Sequence, residues 1–69
     1  MITFNEFLKR VDETYNYHSF ELRYGQTIMN VLRDAWPEKY SELQKSDYDC
    51  FYDDGIVKIT LQKLDKEWT

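Results

Sequence analysis

The sequence predicts an all-α protein, a single compact domain of about four short helices covering residues 1–69. Three observations carry that prediction. The longest evenly periodic stretch, Leu22 to Trp36, sets Leu22, Gly25, Ile28, Met29, Leu32 and Trp36 at three- and four-residue steps, on one stripe of a helix. Helix-start signals stand where periodic stretches begin, at Thr3, Ser19 and Pro37. Only residues 57–62 alternate apolar and polar side chains clearly, and a strand without a partner leaves its backbone donors and acceptors unpaired.

The first helix is expected over residues 3–15. Thr3-Phe4-Asn5-Glu6 reads as a capping box, in which the Thr3 hydroxyl accepts the Glu6 amide and the Glu6 carboxylate accepts the Thr3 amide. Phe4, Phe7, Leu8, Val11 and Tyr15 then form an apolar face, with Lys9, Arg10, Asp12 and Glu13 on the other side. The second helix is expected over 19–36, with Ser19 as its N-cap and Glu21 in its first turn. Gly25 lies inside it, where glycine costs about 1 kcal/mol relative to alanine; close approach of another helix is the expected compensation, and a kink the second reading. Pro37 opens a third helix, 37–45, and forces Trp36 out of helical geometry. Its apolar edge is Tyr40 and Leu43, with Glu38, Lys39, Glu42 and Lys45 outward. A turn follows over 46–55. The last segment fits a strand through Val57, Ile59 and Leu61 and a helix through Val57, Leu61, Leu64 and Trp68; a helix over 54–67, capped by Asp53 or Asp54, is the expectation.

Composition bounds the function. Sixty-nine residues sit near the size at which one core only just offsets chain entropy, which leaves no room for a second domain or a deep cleft. Six Tyr, four Phe and two Trp raise the apolar area available to that core. Thirteen acids against nine scattered bases give a net charge of -4, which argues against direct nucleic-acid binding through phosphates. A mean hydropathy of -0.75 and 32% charged residues leave no membrane span, and the first residues lack the pattern of a secretory signal. One cysteine, Cys50, excludes an internal disulfide and suits a reducing, cytoplasmic setting.

Motifs for chemistry fail on inspection. With Gly55 as the sixth residue of a calcium loop, the first, third and twelfth ligands become Cys50, Tyr52 and Leu61, which cannot serve. His18 and Cys50 are the only members of their kinds and form a weak case for a nucleophile pair. The two glycines, Gly25 and Gly55, are too far apart for a phosphate loop. No catalytic residue, metal ligand or cofactor is therefore assigned. What remains is Asp47, Tyr48, Asp49, Asp53 and Asp54, a cluster of carboxylates and aromatic residues suited to docking on a basic protein partner. The simpler reading has Phe51 and Tyr52 plugging the core while the aspartates cap a helix; it is preferred for those two residues, and Tyr48 is left open. Arg23, Gln26 and Asn30 are not needed for helix formation, and the preferred account is that they hold the acidic turn while Gly25 permits close approach.

The run Arg23-Tyr24-Gly25-Gln26 with Asn30, Leu32 and Pro37, then Asp49-Cys50-Phe51-Tyr52-Asp53-Asp54 and a closing Trp68, resembles a group of small uncharacterised helical proteins of bacteria and bacteriophages. Their pattern runs Arg-x-Gly-Gln-x-x-x-Asn-x-Leu, a proline, an Asp-Pro-Phe-Tyr-x-Asp turn and a final Trp. Here Cys50 replaces the proline of the turn. The resemblance implies a helix after residue 55 and a bacterial or phage origin, with no activity to transfer. The leading expectation is a noncatalytic module that binds a protein partner through the acidic aromatic loop, in the host cytoplasm if phage-encoded. Two alternatives stay open: a ligand or enzymatic site around Arg23, Gln26, Asn30 and His18, and an obligate homo-oligomer that buries surplus aromatic surface.

Overall fold

The structure, a computed structural model, describes residues 1–69 as four α-helices with no strand. Helix α1 (Phe4–Tyr17) starts from the expected capping box: Thr3 Oγ1 accepts from the Glu6 amide and Glu6 Oε1 accepts from the Thr3 amide, each at 3.1 Å. The same bonds hold the Glu6 carboxyl below its usual range. The helix runs two residues past Tyr15 and buries Phe7 and Val11.

The second helix departs from expectation. Ser19 caps nothing, because the chain turns on itself there: the Glu21 and Leu22 amides both donate to the His18 carbonyl, at 2.8 and 2.9 Å. Helix α2 (Tyr24–Ala35) begins five residues later, with Arg23 at its N-cap position and no side chain of its own closing the end. Leu22 lies ahead of the helix and is half-buried. The rest of the predicted stripe holds, since Gly25, Ile28, Met29 and Leu32 are buried together with Thr27, whose hydroxyl donates to the Arg23 carbonyl at 2.9 Å.

Trp36 adopts φ -152° and ψ 78°, and α3 (Pro37–Gln44) starts directly after it with proline at the position where no amide is needed. Lys39, expected outward, is buried. Its Nζ donates to Glu67 at 2.8 Å and to Glu42 at 3.1 Å, and lies 5.0 Å from the centre of the Trp36 ring. A long aliphatic stem lets lysine lie along the aromatic wall while its charge meets two carboxylates.

A 3-10 turn (Asp54–Ile56) leads into α4 (Val57–Glu67), so the ambiguous segment is helical. The choice is visible in Ile59. A strand would have placed it beside Val57 and Leu61, but it is 52% exposed while those two are half-buried and Thr60 and Leu64 are fully buried. Of the two proposed caps, Asp53 serves this entry by accepting the Gly55 amide at 2.9 Å.

The eight-residue core draws on every segment: Phe7 and Val11 of α1, Ile28, Met29 and Leu32 of α2, Leu43 of α3, Cys50 of the turn and Leu64 of α4. At one pole Trp68 closes the chain over it. Its ring centre lies 4.9 Å from Phe7, 5.1 Å from Trp36 and 5.7 Å from Phe4, and its indole N–H donates to the Ile2 carbonyl at 2.8 Å. All buried side-chain polar atoms are paired. No helix is long and apolar enough to cross a membrane.

Candidate functional site

The turn between α3 and α4 has no helix of its own before Asp54, and side-chain hydrogen bonds to its backbone hold its shape. Ser46 Oγ donates to the Leu43 carbonyl at 2.9 Å and accepts the Tyr48 amide at 3.1 Å. Asp49 Oδ1 accepts the Phe51 amide at 2.9 Å, which tightens the next corner. From the far side, the Thr60 hydroxyl donates to the Tyr48 carbonyl at 2.7 Å.

The turn is then fastened to α2 at Gly25. Asp54 Oδ1 accepts the Gly25 amide at 2.9 Å, and the Cys50 thiol donates to the Gly25 carbonyl at 3.4 Å. Gly25 is the second residue of α2, and its N–H is one of the first four that a helix cannot satisfy internally. Asp54 thus caps α2 from across the fold, setting a carboxylate at the positive end of the helix dipole. A side chain at residue 25 would be impossible in this arrangement. A Cβ there would overlap the Cys50 carbonyl oxygen and lie 2.8 Å from Asp54 Oδ1. The close approach expected at Gly25 is made by the acidic turn, as the preferred account of that turn has it, and not by another helix. The bonds that hold the turn come from the Gly25 backbone and not, as expected, from the side chains of Arg23, Gln26 and Asn30.

The acidic residues divide accordingly. Asp49, Asp53 and Asp54 each commit one oxygen to a backbone amide and keep the other, while exposed Asp47 makes no such bond. The aromatics divide too. Tyr48 and Phe51 pack half-buried against the core, and the Lys63 ammonium sits 4.7 Å from the centre of the Tyr48 ring. Tyr52, expected as a core plug, is 84% exposed and touches Phe51 edge-on at 4.7 Å. With only one short turn to close the core, Phe51 fills the space available and its neighbour must point away.

Beside Tyr52 a cleft of about 280 Å³ opens between α2, α3 and the turn. Met29 and Phe51 line it together with Asn30, Arg33, Tyr40, Gln44 and Asp49. Asn30 with Arg33 and Tyr40 with Gln44 are spaced at three and four residues on the two helices, the signal in the sequence that marks a shared lining. Arg23, Gln26 and His18 do not line this cleft. His18 instead lies 3.5 Å from Glu21 and edge-on to Tyr17. Cys50 is fully buried, and burial pushes its thiol up to about 11, the opposite of what a nucleophile requires. No group of three or more His, Cys, Asp or Glu side chains is arranged to hold a metal ion. A second exposed spot escaped the sequence reading: Phe20, wholly exposed in the α1–α2 turn near exposed Tyr17.

Fold and site together define a small four-helix domain that presents a pinned acidic turn with one projecting aromatic ring. No family model, no curated protein and no solved structure matches the chain.

Proposed function

We propose that this chain is a noncatalytic interaction domain that docks on a basic protein surface through the turn of residues 47–54, in the cytoplasm of a bacterial cell, or of the host if it is phage-encoded. The observation that carries this reading is Tyr52, 84% exposed on a backbone fastened at Gly25, Ser46 and Thr60. An aromatic ring on a pre-ordered turn loses little conformational freedom when it binds, and such rings are the usual anchors of protein interfaces. Asp47 and the second oxygens of Asp49, Asp53 and Asp54 give the same turn negative charge, which steers a basic partner and rejects acidic ones. The adjacent cleft offers a seat for a partner side chain. The fully buried Cys50 thiol, bonded to the Gly25 carbonyl, supports a noncatalytic role.

The test replaces Tyr52 by a photo-crosslinking residue and irradiates the protein in bacterial extract. The expected result is a discrete adduct that excess wild-type protein suppresses and a D47N/D53N/Y52A competitor does not. No adduct, or equal suppression by both competitors, refutes the proposal.

A further inference from the structure

Helices α1 and α4 flank a second, shallow and mostly apolar groove of about 470 Å³, which shares no lining residue with the cleft beside Tyr52. Its walls are Phe4 and Leu8 on one side and Val57 and Leu61 on the other, all half-buried. Exposed Lys58, Gln62 and Asp65 form its rim on α4. The two rim charges are placed against the electrostatics of their own helix. Lys58 is in the first turn of α4, where the dipole favours an anion, and Asp65 is in the last turn, where it favours a cation. Neither takes part in the four ion pairs of the fold, which are His18–Glu21, Lys39–Glu42, Lys39–Glu67 and Lys63–Glu67. They cannot pair with each other, since seven residues of helix separate them by about 10 Å.

We propose that the occupant of this groove is a second copy of the chain, with the two α4 helices packed antiparallel. The stripe Lys58, Leu61, Gln62 and Asp65 follows the helical repeat, so it can face a partner along its whole length. Its midpoint falls between Leu61 and Gln62, near the centre of Val57–Glu67. A twofold axis there brings Lys58 of each copy against Asp65 of the other, and both ion pairs form in one step, as a self-complementary interface requires. Leu61 of each copy then enters the other's groove between Phe4, Leu8 and Val57. The charges that are misplaced in the monomer gain opposite partners in the dimer. The face is one helix pair wide, below the usual interface of about 800 Å² per partner, so association is expected with a Kd of about 10 to 100 µM.

Charge reversal separates this arrangement from nonspecific association. K58D makes both ends of the stripe acidic and D65K makes both basic, and each substitution also agrees better with the helix dipole, so the monomer remains folded. In sedimentation velocity at about 200 µM, the wild type should be substantially dimeric and each single variant monomeric. An equimolar mixture of K58D and D65K should form a heterodimer, and the K58D/D65K double variant should dimerise again with a Kd within about threefold of the wild type. Circular dichroism melts confirm the fold of each variant. A monomeric wild type, or single variants that remain monomeric when mixed, overturns the proposal, as does a single variant that still dimerises alone.

Discussion

Replacing Gly25 by alanine tests the junction on which the candidate site depends. In an ordinary helix the change favours folding by up to about 1 kcal/mol, because glycine has more backbone freedom to lose. Here the new methyl group overlaps the Cys50 carbonyl oxygen and lies 2.8 Å from Asp54 Oδ1, so the turn must move away. That movement breaks or stretches the bond from the Gly25 amide to the Asp54 carboxylate, a charged hydrogen bond of a kind that contributes about 1.5 to 3 kcal/mol. Crowding in a well-packed interior costs a further 1 to 3 kcal/mol, roughly. The loss exceeds the gain, and G25A should be destabilised by about 2 to 4 kcal/mol. A domain of this size has a total stability of only about 3 to 10 kcal/mol. Urea and thermal melts followed by helical ellipticity should therefore show a Tm at least 10 °C lower, roughly. D54A should be destabilising alone and cost clearly less in the G25A background, because the two changes disrupt one contact. A G25A protein as stable as the wild type would refute the reasoning, and strict additivity of the two substitutions would remove Asp54 from it.

Two further predictions concern titratable groups. Bonds from Lys39 and Lys63 hold the Glu67 carboxyl at about 2 against an ordinary 4.5. A lowered folded-state pKa contributes stability that is complete above the unfolded value and is lost as pH falls toward the folded one. E67Q should therefore melt below the wild type at neutral pH, with the difference closing between pH 4.5 and about 2; a difference that persists at the acid end would exclude the two lysines as its cause. Cys50 should resist iodoacetamide near pH 8, roughly, while the protein is folded and react at once in urea, since the buried thiol stays protonated until far higher pH. Native-state labelling as fast as that of an unstructured thiol would contradict the burial described.

The helices were largely legible in the sequence because their causes are local. The Thr3 to Glu6 box, Pro37 after Trp36 and the spacing of Ile28, Met29 and Leu32 involve residues within one or two turns of each other. The start of α2 was misread for the complementary reason. Ser19 has the chemistry of a cap, but the cap that α2 uses is Asp54, 29 residues away in the chain. Lys39 was misread in the same way: its charge faces Glu67, a residue brought within reach only when α4 packs beside α3.

The candidate site follows the same division. That residues 47–54 are acidic, aromatic and turn-forming is stated by the residue types. Asp49 and Asp53 take up amides two residues ahead of them, which is local turn chemistry, whereas the bond from the Gly25 amide to Asp54 exists only once the turn has docked on α2. Gly25 joins the two levels. The sequence alone showed that a glycine inside a helix needs a reason, since its backbone freedom is costly there. Only the folded chain supplied that reason, the Cys50 carbonyl and the Asp54 carboxylate resting where any side chain would stand.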